Sequence, residues 1–327
     1  MTGNGDDVAK VVPVRHVGRW VGSLVVLLGI AMLGHTVFSK LPTAQRACST
    51  VGGVKTCHRI QEWRFGWDVV GKYFTTRAIF DGLEVTLELT VLAMIIGIVL
   101  GVILAIMRLS QTRLLSGTAW TYTWFFRGTP VYVQILFWGF LPLLYPSLSL
   151  GIPFTHWTLW HFTTSTVISG FTAGVIALGL NESAYMSEIA RSGLISVDEG
   201  QVEAAKSLGM SRAQTLRLVI LPQAMRVIIP PTGNEVISML KTTSLVIPLA
   251  ITDLLGAVTN IYSATYQIMP MLIVASLWYL AVSTVLSIGQ YYVERHFAKG
   301  ALRTPPPTPI QRLRTDLRGV ATKMRIR

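Results

Sequence analysis

The chain has 327 residues, 51% of them apolar and only 13% charged, which excludes an ordinary water-soluble globule. Its formal charge is +12, and no basic-aromatic module accompanies that charge, so the natural partner is an anionic lipid surface at the inner leaflet and not nucleic acid. The six histidines show no metal-ligand spacing with Cys, Asp or Glu, and nucleophile-elbow, zincin and phosphate-loop motifs are missing, so no metal, catalysis or ATP hydrolysis is expected of this chain itself.

Trp20 to Phe38 is a 19-residue run whose one titratable side chain is His35. At 1.5 Å per residue it covers roughly 28 Å, the thickness of a hydrocarbon core. Arg15 and Arg19 precede it as in a signal peptide, but the run outlasts a usual h-region and no small-x-small site follows before Lys40, so a retained anchor is expected. Next come Cys48 and Cys57, separated by Ser-Thr-Val-Gly-Gly-Val-Lys-Thr. A two-residue turn at Gly52-Gly53 pairs Val51 with Val54 and, three steps outward, Cys48 with Cys57 at a non-hydrogen-bonded position. A disulfide-stapled β-hairpin outside the membrane is the expectation.

Trp63 to Phe80 mixes aromatic and basic residues and suits an interfacial helix. Leu89 to Met107 is a second 19-residue span, introduced by Gly82 to Thr90. A third, near 117–144, contains Arg127-Gly128-Thr129-Pro130, a cation and a helix breaker in apolar surroundings. The segment 145–166, rich in Trp, Tyr, His, Pro and Thr, reads as an outer interface loop. A fourth span, 167–190, runs through Asn181-Glu182 to Glu188 and Arg191.

The polar stretch 191–226 follows. Ser196-Val197-Asp198-Glu199 and Ser211-Arg212-Ala213-Gln214 both read as capping boxes, and Gly209 is placed to end the first helix in the left-handed cap. Pro222, then Pro230-Pro231, should break or redirect the second helix. Spans five and six lie near 227–251 and 269–293; the tail is basic, with Leu313, Leu317, Val320 and Met324 at helical spacing, as in an amphipathic helix on the inner leaflet.

Lys and Arg placement orients the chain. Five fall in 191–226 and nine after Val293, while the outer segments 145–166 and 252–268 have none. Seven in the long segment 39–83 oppose this but weigh less, so both termini are expected in the cytoplasm. The expected organisation is an N-terminus with an extra first transmembrane helix (1–38), an outer loop with hairpin and interfacial helix (39–83), a membrane core (84–293) and a basic cytoplasmic tail (294–327).

The stretch Glu203-Ala204-Ala205, Gly209, Val219-Ile220-Leu221-Pro222 resembles the EAA loop of ABC-importer permeases, with Val219 in place of Ile. Arg127-Gly128-Thr129-Pro130, Ala184-Tyr185, Gly200-Gln201 and Lys241-Thr242-Thr243-Ser244-Leu245 resemble the polar amino-acid uptake branch in particular, and the likeness runs over roughly 70–305. It implies an all-α integral membrane protein of the bacterial cytoplasmic membrane with a five-helix type I importer core; the N-terminal extra helix, which makes six transmembrane helices in all, the small outer hairpin and the basic tail depart from that plan and are not implied by the resemblance. It implies two ABC ATPase subunits that carry the ATP and Mg2+, a second permease chain (identical or paralogous) and an extracytoplasmic substrate-binding protein. Glu203, Ala204, Ala205, Gly209, Leu221 and Pro222 would then form the ATPase-coupling element, driving alternating access.

Charges in the spans need partners or water. Glu188 and Arg191 read as a helix-end pair, whereas Arg127, Glu182, Lys241, Thr242 and Ser244 are candidates for lining a solute path. Thr242, Thr243 and Ser244 are equally expected to bond back to helix carbonyls. The solute expected is glutamate, glutamine, arginine or histidine; alternatives are an opine or osmolyte, or a secondary carrier or channel driven by ions instead of ATP.

Overall fold

The computed structural model of the chain describes residues 17–39, 45–51, 54–60, 64–151 and 158–297. It divides into two units, Met1–Lys72 and Tyr73–Arg327. The expected turn at Gly52-Gly53, the cysteine side chains and the basic tail lie outside the described residues.

In the first unit, α1 (Val17–Val37) is followed by β1 (Gln45–Val51) and β2 (Val54–Ile60), then by α2 (Trp67–Tyr73) at the boundary. The strands pair antiparallel, with Val51 opposite Val54 and Cys48 opposite Cys57. The ring of Trp67 stacks on Phe38 at 5.2 Å, and its indole N–H donates to the carbonyl of Val37 at 3.1 Å. The expected interfacial helix is therefore only seven residues long.

The second unit is helical. Its order is α3 (Arg77–Arg108), α4 (Arg113–Gly128), α5 (Val131–Leu144), β3 (Ser147–Gly151), β4 (Thr158–Thr163), the short α6 (Thr164–Val167), α7 (Gly170–Ile195), α8 (Glu199–Ser207), α9 (Arg212–Thr215), a π turn (Leu216–Ile220), α10 (Leu221–Thr242), a 3-10 stretch (Thr243–Leu249), α11 (Leu254–Thr265) and α12 (Ile268–Phe297). Among the described residues α3 and α12 are long and apolar enough to cross a membrane alone. Arg212–Leu249 with Leu254–Thr265, bent by 50°, makes a third crossing if taken together. The expected third span is not one helix but α4 and α5, parted at Thr129-Pro130. The expected second span begins a dozen residues early, at Arg77, because nothing between Arg77 and Leu89 breaks a helix. The segment 145–166 is more than a loop: Ser147 to Leu150 pairs with Trp160 to Thr163, polar and apolar residues alternating at the strand period in both, and the register shifts at Gly151.

At the centre stands α7, packed on α3, α4, α5 and α10. Its polar Asn181 and Glu182 lie near the middle of the bundle, Glu182 being buried. The α3–α7 contact is the most extensive between the described helices. Ala93, Gly97, Gly101 and Ala105 recur every fourth residue on α3 and are all buried, so they form one small-residue stripe. A Cβ added at Gly97 would sit 2.5 Å from Glu182 Cγ, and one at Gly101 would sit 2.5 Å from Met186 Cβ. Without glycine the two backbones would have to part.

Two buried polar joints hold one end of the bundle. Asp253 caps α11, accepting from Gly256 N at 2.8 Å and Leu255 N at 3.3 Å, with the Tyr279 hydroxyl at 3.5 Å. Thr86 Oγ1 on α3 accepts from Leu254 N at 2.9 Å.

Candidate functional site

A cavity of about 530 Å³ opens between the α4–α5 break, α7 and α10. Its walls follow from helix periodicity. On α7 the lining residues are Leu178, Asn181, Glu182 and Tyr185; on α10 they are Glu235, Ser238, Met239 and Thr242. Each set recurs at i, i+3, i+4 and i+7, which is one helix face.

The third wall exists because α4 stops. Pro130 has no N–H to continue the ladder, and it forces Thr129 into an extended conformation (φ −112°, ψ 142°). The carbonyls left at the end of α4 need donors. Buried Gln134 donates through Nε2 to Phe126 O at 3.0 Å, to Thr129 O at 3.2 Å and to Thr129 Oγ1 at 2.7 Å. Asn181 Nδ2 donates to Phe126 O at 3.0 Å and to Gln134 Oε1 at 3.1 Å. These amides fix Arg127 at the rim, where its guanidinium carbon lies 5.3 Å from the centre of the Tyr185 ring.

Glu182 and Glu235 line this cavity together with Arg127, two acidic side chains and one guanidinium. Glu182 is 4% exposed, and its Oε1 has no hydrogen-bond partner among the described residues.

Of the five candidate path residues, Arg127, Glu182 and Thr242 line the cavity, whereas Lys241 and Ser244 do not. Lys241 is one position before Thr242 and is therefore turned about 100° away from the shared face. Ser244 lies past the switch to 3-10 geometry. The hydroxyls of Thr242, Thr243 and Ser244 donate back to Ser238 O, Leu240 O and Lys241 O, at 3.0, 2.8 and 2.7 Å. Sequence reasoning misses Asn181, which lines the cavity, and Gln134, which holds the end of α4 behind it; their signal is Pro130, which leaves the last carbonyls of α4 without backbone donors. Glu188 receives Arg191 at 2.7 Å on Oε2 and Arg108 at 3.5 Å on Oε1, a helix-end cluster away from the cavity.

The second candidate element is the polar loop. Here α8 is capped by Asp198, whose carboxylate accepts from Gly200 N at 2.8 Å. The expected box at Ser196 does not form, since Ser196 ends α7 and turns its hydroxyl back to Gly193 O. At the other end Gly209 N donates to Lys206 O and Met210 N to Ala205 O, the double closure of a Schellman motif. Gly209 has φ +76°, which glycine adopts without strain. The Ser211–Gln214 capping box is complete, with bonds of 3.3 and 2.8 Å. Pro222 does not break the helix that follows. The π turn before it lets Leu221 N reach back to Leu216 O, and Gln223 Nε2 donates to Val219 O at 3.1 Å, so the chain continues through Pro230 and Pro231.

Glu203, Ala204, Gly209, Leu221 and Pro222 are exposed on this loop. Ala205 is not: it is 3% exposed, and α8 packs on α9 and the π turn. Its small side chain serves the loop's own packing. Leu208, 82% exposed, and Leu218, 64% exposed, are the apolar groups that the loop presents instead.

Comparison with known proteins points the same way. Residues 97–299 match the family described as binding-protein-dependent transport system inner membrane component. An arginine transport system permease protein of Corynebacterium glutamicum is 46% identical over 295 residues, 89% of this chain and 84% of that one. A histidine/lysine/arginine/ornithine transport system permease protein of Escherichia coli is 37% identical over 207 residues, 63% of this chain and 83% of its own length. Among solved structures, an amino acid ABC transporter crystallised with histidines superposes with a TM-score of 0.58 at 36% identity, covering 70% of this chain and 97% of the other.

Proposed function

The chain belongs to the binding-protein-dependent transport system inner membrane components, as the permease subunit of an ABC amino-acid importer, and from that premise we propose that its solute is a cationic amino acid of the arginine and histidine class. ATP hydrolysis belongs to separate subunits in this family, and a substrate-binding protein delivers the solute; the chain itself is not an enzyme. The observation that carries the cationic assignment is the cavity's lining, two acidic side chains, Glu182 and Glu235, against one guanidinium, Arg127. A cationic side chain satisfies Glu182 and Glu235, and the solute's own carboxylate has Arg127 as its partner. A glutamate side chain would face both carboxylates. The names of the arginine and histidine permeases above support the same class.

In this reading the membrane is crossed six times, by α1, α3, α4 with α5, α7, α10 with α11, and α12, with both termini cytoplasmic. The loop carrying α8 and α9 then faces the ATPase. Glu203, Ala204, Leu208 and Leu218 form the docking face, while Gly209 fixes the turn. Two ATPase subunits holding ATP and Mg2+, together with a second permease chain, complete the importer. Closure of the ATPases moves the paired loops together and rocks the helices that line the cavity. The strand register that sets Cys48 opposite Cys57 supports a disulfide outside the membrane.

The test is competition for labelled arginine uptake in cells that depend on this importer. Lysine, ornithine and histidine should compete and glutamate should not. Equal competition by glutamate would remove the cationic assignment.

A further inference from the structure

The end of α3, the start of α4 and the end of α7 border a second, open cavity of about 510 Å³. Arg108 ends α3, Arg113 opens α4, and Arg191 stands near the end of α7; all three line it, with Ser110, Ser116 and Trp120. Glu188 engages Arg191 and Arg108 but leaves three cations against one carboxylate. Arg113 is exposed and makes no ion pair among the described residues.

The backbone adds donors at the same place. Thr112, at the start of the 16-residue α4, gives no side-chain cap. The N–H groups of Arg113, Leu114 and Leu115 therefore stay open at the positive end of the helix. The turn is ordered: Thr112 N donates to Ser110 Oγ at 3.2 Å, and Ser116 Oγ donates to Arg108 O at 3.2 Å. Beside these donors the lining includes two apolar side chains, Leu109 and Trp120, 44% and 53% exposed.

We propose that this cavity binds the phosphodiester headgroup of an anionic phospholipid from the inner leaflet. A soluble phosphate would satisfy the guanidiniums alone, whereas a lipid uses both sets of groups, its phosphate on the arginines and its acyl chains along Leu109 and Trp120. The bound headgroup ties α3 and α4 to the end of α7, just before α8 begins. The proposal rests on the cytoplasmic orientation of the α3–α4 turn given above.

The experiment uses the whole importer, purified in mild detergent and analysed by native mass spectrometry with lipid extraction. Wild type should retain phosphatidylglycerol or a related anionic lipid. Arg113→Gln should lower retention about tenfold, the equivalent of one charge-assisted contact. Arg108→Gln with Arg113→Gln should abolish it, and Arg212→Gln on the coupling loop should leave it unchanged. Inorganic phosphate at millimolar concentration should not displace the lipid. No retained lipid, equal loss with Arg212→Gln, or displacement by phosphate overturns the assignment. Orientation is read separately, by impermeant maleimide on Thr112→Cys in a background with Cys48→Ser and Cys57→Ser. Labelling only after permeabilisation supports the inner leaflet, and labelling of intact cells overturns it. Arginine-stimulated ATP hydrolysis in the same preparation reports whether the importer reading stands independently of the lipid.

Discussion

Gly97 is where packing and transport meet, and Gly97→Ala tests both. The added Cβ would lie 2.5 Å from Glu182 Cγ and 2.9 Å from Glu182 Cβ. Carbon atoms pack at about 3.5–4.0 Å, so α3 and α7 must part by roughly 1 Å or Glu182 must turn. Overpacking of this kind costs about 1–3 kcal/mol. The same change also removes a helical glycine, worth up to about 1 kcal/mol in the opposite direction. Gly289→Ala on α12 isolates that second effect, because nothing lies within 4 Å of a Cβ there. The thermal stability of the purified importer should therefore be lower for Gly97→Ala than for Gly289→Ala by about 1–3 kcal/mol. Arginine uptake should fall with it by about tenfold or more, since a misplacement of roughly 1 Å at a site is amplified in rate. Identical stability and uptake in the two variants would refute the argument that α7 is held against α3 by this contact.

Three further outcomes follow from single joints. Gly209→Ala forces a side chain into the left-handed region at a cost of about 1–2 kcal/mol; arginine-stimulated ATP hydrolysis should drop while the helical circular dichroism of the purified chain is kept, and Gly209→Asn should be milder. Asp253→Ala leaves two buried N–H groups of α11 uncapped and should lower the unfolding free energy by about 1–3 kcal/mol in a detergent melt, with Asp253→Asn intermediate. Mass spectrometry of the unreduced protein should find neither Cys48 nor Cys57 alkylated, and both after reduction.

Features set by neighbours along the chain are legible in the amino-acid order itself. The Ser211 capping box, the left-handed Gly209 and the break at Pro130 each depend on a few consecutive residues. Features set by distant packing are not. The stripe Ala93, Gly97, Gly101, Ala105 is visible as a small-residue repeat, but only the approach of α7 gives it meaning. Ser196 and Asp198 both offer a cap for α8; Asp198 wins because Ser196 is still needed to close α7. Pro222 looks like a stop because a π turn, which lets a helix absorb a missing N–H, has no clear local code. In the cavity, charge alone points to Lys241, whereas helix phase counted from Glu235 puts Thr242 on the lining face.

The central claim is that a cationic amino acid passes the Glu182 cavity under ATP power. It is tested most directly by arginine accumulation in proteoliposomes holding the complete importer, its binding protein and internal ATP, for wild type and Glu182→Gln. Accumulation that needs ATP hydrolysis, persists when ion gradients are collapsed and falls about tenfold or more in Glu182→Gln is the predicted result, since a charge-assisted contact of roughly 1.5–3 kcal/mol is lost. Full accumulation by Glu182→Gln, or accumulation that follows an ion gradient without ATP, would contradict it.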